Sequence, residues 1–304
     1  MTLASVLDSV LHRLAQLGYY VEPERKALDA RAQRKIVRAH DAMITRHTPK
    51  WRKRASEAFR LDYRNASAIV AGAKKKALQR KASIAWREVL DDLYAYFDGQ
   101  SEEQWRAMFI PLVRGVVVET GKRWSTALGM QFDVQNLEAR NWFNQYVLTF
   151  AQEVSDTTKG NIAQIMARAQ AEGASIPQVQ AQLDALFERY ISGELPTDDD
   201  FDWFTDRTPA YRTELIARDQ IQRSSNAGSS EIFTSWGVKS RTWLTAIDGR
   251  ERPEHAEMNG KVEPMGEPWQ LSTGDRLMFP GDGSLGADLS QIIQCRCVEA
   301  PIVD

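Results

Sequence analysis

Cysteine is nearly absent from this 304-residue chain, which holds only Cys295 and Cys297. Two thiols exclude a disulfide framework, and at i and i+2 they lie too close along the chain for an unstrained mutual bridge. Reduced thiols or a metal site remain. Long apolar runs are also missing, since no stretch approaches the ~18 consecutive apolar residues that a membrane span requires. The first residues lack the basic flank, apolar stretch and small-residue cleavage site of a secretion signal, so the chain is expected to be made in, and kept in, the cytoplasm. Histidine is scarce: there are four, and His255 is the sole one after residue 47. No Walker loop, Rossmann fingerprint, H-E-x-x-H or G-x-S-x-G occurs, so the commonest phosphate, dinucleotide, zinc-protease and hydrolase chemistries lack their residues. No internal repeat is apparent.

What is present is ordinary for a globular protein, with 43% hydrophobic and 26% charged residues and length enough for two domains. The net charge of −2 conceals an asymmetry. Residues 1–90 hold 20 Lys/Arg against 8 Asp/Glu, a balance of +12, and residues 91–304 hold 19 against 33, a balance of −14. The two parts therefore face different partners or each other.

Helical periodicity dominates the first two-thirds. Leu3, Val6, Leu7, Val10, Leu11 and Leu14 predict a first helix that Gly18 caps, and Pro23 opens a second running through Ile36. Pro49 punctuates the next segment, a long helix is expected over 51–97, and Asp98-Gly99 reads as the turn that closes it. Ser101 to Gln104 resembles a capping box before an apolar run. Separate helices are expected over 141–153 and 157–172, and Ser175 is the N-cap of one more. Residues 192–200, rich in Gly, Pro and Asp, read as a linker. A helix over 209–236 then leads out at Gly237. Beyond it the period changes: 240–247 reads as a strand, turn residues crowd 248–268, and 295–303 reads as a closing strand that Pro301 makes an edge. The expected class is α+β, a mainly helical N-terminal and central body with a small mixed α/β C-terminal module. Its expected division is a basic helical region 1–100, a helical body 101–195 and a module 196–304.

Lys50, Arg52, Lys53, Arg54, Lys74, Lys75, Lys76, Arg80 and Lys81 give the long basic helix two readings. One is a solvated face, the usual fate of a charge run. The other is a surface for nucleic acid or an acidic partner, because Lys/Arg clusters neutralise phosphates regardless of sequence, with Trp51, Tyr63 and Trp86 placed to stack on bases.

Four pieces recur in order within the module. Trp243-Leu244-Thr245-Ala246-Ile247-Asp248 is a strand ending in an aspartate. Asp248, Arg250, Arg252 and His255 then form D-x-R-x-R-x-x-H, followed by Met258-Asn259-Gly260-Lys261-Val262. Phe279-Pro280-Gly281-Asp282 and Cys295-Arg296-Cys297 complete the set. Together, over roughly 240–300, they resemble the Mu F-like phage head morphogenesis family. The helix with Ile216-Ala217-Arg218-Asp219-Gln220 is similar to the one preceding that family's domain, although Thr-Glu is usual where this chain has Asp219-Gln220. Residues 160–187 resemble the family's upstream helices less specifically, and 1–150 carry no signature.

The resemblance implies a minor head or capsid protein, not an enzyme. It would be present in few copies inside the virion near the portal vertex, act in head assembly or genome delivery, and take the portal, major capsid or scaffold protein as partner. A DNA-binding ejection protein contacting packaged duplex DNA is the alternative. A third reading is a metal-dependent hydrolase or a toxin-like enzyme, since Mu F-like domains also occur beside toxin modules.

The residues with ligand chemistry are Asp248, His255, Cys295 and Cys297. Cysteines at i and i+2 of a strand face the same side, and with one His and one Asp they form a reasonable tetrahedral zinc set, although C-x-C is a less common spacing than C-x2–4-C. The competing reading has Asp248 capping a turn or pairing with Arg250 or Arg252, His255 bonded to backbone, and the thiols packed as small hydrophobes. Arg250, Arg252 and Arg296 fit a small anion site or pairing with nearby carboxylates. Pro280-Gly281-Asp282 reads as a turn whose glycine takes positive φ and whose aspartate caps amides.

Overall fold

A computed structural model describes residues 30–80, 84–132, 137–192 and 212–302. The first expected helix, Pro23, Lys81 and nearly all of the 192–200 linker lie outside the described residues, as does the Lys74 side chain. Helices α1 (Ala30–Arg80), α2 (Trp86–Tyr96), α3 (Glu102–Leu128), α4 (Leu137–Glu172), α5 (Ile176–Ser192) and α6 (Arg212–Ser235) precede a region of short elements. These are β1 (Ser240–Leu244), α7 (Pro253–Met258), β2 (Val262–Pro264), β3 (Trp269–Gln270), β4 (Arg276–Leu277), α8 (Leu289–Ile292) and β5 (Val298–Ile302). The fold is α+β, a helical body with a small C-terminal module, as the periodicity implied.

Four local expectations change. Helix α1 runs straight through Pro49, with the Thr48 hydroxyl donating to the Ile44 carbonyl at 2.8 Å just before it. Asp98-Gly99 does not close a helix but lies in a π-helical turn, Phe97–Ser101, that leads directly into α3. The Phe97 carbonyl there accepts from the Ser155 hydroxyl at 2.8 Å. Ser101 forms no capping box, because its hydroxyl donates to buried Asp62 at 2.7 Å instead. The two helices expected over 141–172 are one, α4. Ser175 does open α5, with its N–H donating to Gln178 Oε1 at 2.8 Å, the backward half of a capping box.

Cα packing groups the chain into two compact units, neither of them continuous in sequence. One combines 50–112 with 142–216, the other 1–49 with 113–141 and 217–304. Packing does not follow the linear order of composition, because each unit brings together segments far apart in sequence.

The first of these units is built on aromatic rings. Trp51, Phe59, Trp105, Phe109, Phe150, Phe187 and Tyr190 are all buried, with Trp105 stacked on Phe109 at 5.2 Å. A buried carboxyl and a half-buried guanidinium sit among them. Asp62 accepts from Tyr96, Ser101 and Trp105 at 2.7–2.9 Å. Arg212 donates to the Val154 carbonyl at 2.8 Å and lies over the rings of Tyr190 and Phe59 at 4.6 and 5.1 Å. Each charge is thereby hydrogen-bonded, as burial demands.

The second unit holds the module. Gly237, at φ +71, ends α6, and the Val238 and Gly237 N–H groups return to the Phe233 and Thr234 carbonyls, each at 3.0 Å. The chain then enters a three-stranded antiparallel sheet of order β2-β1-β5. Leu244 opposes Val298 and Thr242 opposes Ala300 on one face, while Trp243 opposes Glu299 on the other. Leu244, Val298 and Ala300 join Ile36, Trp124 and Phe233 in one core, and Trp243 joins Met258, Trp269, Leu277 and both cysteines in a second. The sheet separates two cores, so β1 is buried on both faces and lacks simple alternation.

Beneath the first face, His40 of α1 is fully buried, its Nε2 against Gln222 Oε1 and its Nδ1 3.3 Å from the Ser225 hydroxyl. Burial, reinforced by the charge of Arg123, lowers its pKa from 6.5 to about 3. The folded ring stays neutral where the unfolded ring binds a proton, so stability is lost as pH falls from 6.5 toward 3. Asp219 and Glu299, raised to about 7 by burial, act in the opposite sense between their unfolded values and pH 7, and do so with or without His40. His40→Gln should therefore lose less stability than the wild type on acidification below pH 6.5, as read from urea unfolding at a series of pH values. Superimposable pH profiles would contradict this.

Candidate functional site in the C-terminal module

The four motif pieces meet in one place. After β1 the backbone turns sharply, with Ile247 at φ +53 and Gly249 at φ +79. Glu251 stabilises the turn by accepting from the Asp248 and Gly249 N–H groups at 2.6 and 2.9 Å. Arg252 precedes α7 and Pro253 occupies its first turn, where a missing N–H costs nothing. His255 and Met258 thereby point inward and are 1% exposed. The segment then doubles back under β1: Gly260, at φ +78, donates to the Trp243 carbonyl at 2.8 Å, and Trp243 donates to the Lys261 carbonyl at 3.0 Å.

From the other end, Gln294 at φ +55 gives its N–H to half-buried Asp219 at 2.8 Å. That turn aims both cysteines at His255, whose Nδ1 lies 3.7 Å from Cys295 Sγ and 3.4 Å from Cys297 Sγ. The strand expected from 295 begins only at Val298, so the cysteines lie in the loop before it. The Cys297 S–H donates to Cys295, which holds the Cys295 thiol well below its ordinary range, while burial pushes Cys297 well above it. The Trp243 ring stands edge-on to His255, centroids 5.5 Å apart.

Asp248 is not in this cluster. Its carboxylate is at the surface and accepts from Arg296 at 2.7 Å and Arg250 at 2.6 Å, and these two guanidinium groups hold its pKa well below the usual carboxylate range. Arg296 also reaches Asp41 at 3.6 Å, and Arg252 donates to the Ile293 carbonyl. Arg250, Arg252 and Arg296 rim a small depression lined also by Ala246, Glu251 and Gln294, with the buried His255 and Cys297 at its floor. Asp282 is 2% exposed and organises its turn by accepting from the Met278 and Ser284 N–H groups at 2.8 and 2.9 Å. Gly281, at φ +87, supplies the backbone conformation that the turn requires.

Several determining residues carry no motif. Asn226 of α6 donates to the Pro280 and Cys297 carbonyls at 2.8 and 2.9 Å, and Gln222 one turn earlier also donates to Cys297. Arg241 and Glu299 form a fully buried ion pair at 3.1 Å, with Arg241 also donating to the Glu267 carbonyl at 2.7 Å and lying 5.2 Å from the Trp269 ring centroid. The signal for α6 was present in Ser224-Ser225-Asn226-Ala227-Gly228-Ser229, small residues that, apart from Ala227, are poor helix formers and make sense where a helix is closely approached. All of these except Gly228, whose added Cβ would come within 3.3 Å of Val117, are at most 1% exposed.

The basic residues of α1 are held differently. Arg52 pairs with Glu214, Arg54 with Glu57, Lys76 with Asp92 and Arg80 with Glu88, while Lys50, Lys53 and Lys75 are exposed. Trp51 packs edge-on against Phe109 and is fully buried, out of reach of any base. Tyr63 donates to Asp184, and Trp86 is half-buried.

These contacts define a compact α+β module anchored on the end of a long helix, with a buried thiol–imidazole cluster under an arginine rim. Residues 160–300, 141 of the chain's 304, match the family described as Phage Mu protein F like protein. The match begins within α4 and ends in β5, so it takes in the less specific upstream helices together with the motif string. An uncharacterized protein of Haemophilus influenzae is 29% identical over 99 residues, 32% of this chain but 19% of that one. No solved structure matches the chain.

Asn226→Ala should cost about 1–3 kcal/mol, because the buried Pro280 carbonyl loses its donor while Cys297 keeps that of Gln222. Urea denaturation would show this as a lower midpoint at unchanged slope, and a shift below about 0.5 kcal/mol would mean that the amide contacts are incidental.

Proposed function

We propose that this chain is a structural protein of a phage head, acting in head assembly through protein–protein contacts near the portal vertex. The observation that supports it is the Mu F-like stretch, whose motif string converges on one folded site. Most of that string serves architecture. Asp282 and Gly281 build a turn, Gly260 and Trp243 lock a loop under the sheet, and Asp248 joins Arg250 to Arg296. The expected partners are the portal, scaffold or major capsid protein, and the expected location is the interior of the particle after assembly in the host cytoplasm.

Packaged DNA is the second reading, favoured by exposed Lys50, Lys53 and Lys75. Against it, acidic neighbours already engage Arg52, Arg54, Lys76 and Arg80, and such exposed pairs contribute little to stability.

The reading is tested by placing a stop codon early in the reading frame within a phage that encodes it. Heads should then fail to assemble or to become infectious, and mass spectrometry of normal procapsids should find the chain in low copy. Normal progeny, with the chain absent from both procapsids and virions, would contradict the proposal. On the DNA reading, duplex affinity should fall about 10³–10⁵-fold between 50 and 200 mM salt if 6–10 phosphates are contacted. Salt-insensitive binding, or binding unchanged in Lys50→Glu/Lys53→Glu/Lys75→Glu, would eliminate that surface.

A further inference from the structure

We propose that His255, Cys295 and Cys297 bind a zinc ion that staples the module together, the fourth coordination position facing the arginine-rimmed depression.

Geometry carries this. Zinc bonds of about 2.3 Å to sulfur and 2.0–2.1 Å to imidazole nitrogen, set at tetrahedral angles, place N and S about 3.6 Å apart. The two Nδ1···Sγ separations are 3.7 and 3.4 Å, on either side of that value. All three ligand atoms lie within 4.8 Å of one another, and all three residues are buried. Two sulfurs and an imidazole form a soft donor set that suits zinc and not magnesium or calcium.

The polar bookkeeping at His255 supports it. The ring is 1% exposed, so its Nδ1 depends on partners inside the module. Its Nδ1 faces two sulfurs rather than an oxygen or nitrogen. Buried imidazoles ordinarily find an oxygen or nitrogen partner, so burying this ring beside two thiols is poorly compensated until a metal bonds all three. Trp243, Met258 and Ile292 surround the cysteines with apolar surface, a low-dielectric shell that strengthens metal–ligand bonds.

The module also has a use for a staple. Its strands are two to five residues long and its two helices six and four, so regular structure supplies little cohesion. The ion would join α7 to the loop before β5, closing about 40 residues of chain as a cross-link. Asp248, the carboxylate that spacing alone would enlist as the fourth ligand, is held outside the cluster by Arg250 and Arg296. The fourth ligand is instead exogenous, a water or small anion admitted through the depression that His255 and Cys297 floor.

The full chain, purified without chelator and dialysed exhaustively, should retain about one zinc per molecule by elemental analysis. Substituted cobalt(II) should show thiolate-to-metal charge transfer and tetrahedral d–d absorption. Cys297→Ser and His255→Gln should weaken binding at least about 100-fold, whereas Asp248→Asn should retain metal at wild-type level. If the cysteine and histidine variants fail to fold, the cobalt spectrum of the wild type and the Asp248→Asn result still decide. A folded wild-type chain without zinc that gains no charge-transfer band with cobalt and no thermal shift with zinc would overturn the proposal, as would loss of metal on Asp248→Asn. None of these readouts depends on a role in a phage head.

Discussion

Two side-chain amides on one helix meet a single carbonyl, and much of the C-terminal module is arranged around that meeting. Gln222 and Asn226, one turn apart on α6, both donate to the oxygen of Cys297, and Asn226 spans from there to Pro280. A carbonyl between two cysteines and β5 has no neighbouring strand to bond, so without these donors it would be buried and unsatisfied. With them, the Cys-Arg-Cys loop and the Pro-Gly-Asp turn take fixed positions on the helix. Cys297 can then face His255, and Gln222 is oriented in turn by His40 of α1. A chain of polar contacts thus runs from the helical part of the unit to the thiols.

The sheet and the ion pair complete the arrangement. β1 divides the unit into two cores, so each of its residues answers to a different environment from the next. Arg241 is the extreme case, a charge with no exposed side-chain surface, held by Glu299, a backbone carbonyl and a tryptophan face. Removing one member of such a pair costs far more than the pair contributes. A basic residue within a strand is therefore not diagnostic of solvent exposure when an acidic partner lies diagonally across the ladder.

How much of this was legible depends on the range of the interaction concerned. Helices with a strong 3.6-residue pattern were readable, as was the change of period after Gly237, because periodicity is local and the apolar faces follow it. The approach of His255 to the two cysteines was readable as a motif, and the reach of Asp248 was not. Spacing counts residues, and it cannot see that Arg296 and Arg250 hold that carboxylate at the surface. The continuity of α1 through Pro49 and the π-helical turn at Phe97 depend on tertiary contacts, which override local breakers. The clamp on Cys297 was hidden because Asn and Gln within a helix ordinarily face water, and only the run of small residues around Asn226 hinted otherwise. The basic run of α1 is visible in the sequence, but the acidic side chains that pair with it come from remote segments as well as neighbouring turns.

Residues 217–235 of α6 and the strands of the module fold as one cooperative body, tied through Cys297. Native-state hydrogen exchange measures this directly. Slowly exchanging amides of that part of α6 should open with the same free energy as those of β1 and β5, and should respond together to added denaturant. Strand amides that exchange at a much lower free energy while α6 stays protected would contradict the account, leaving the module as an appendage rather than part of the unit.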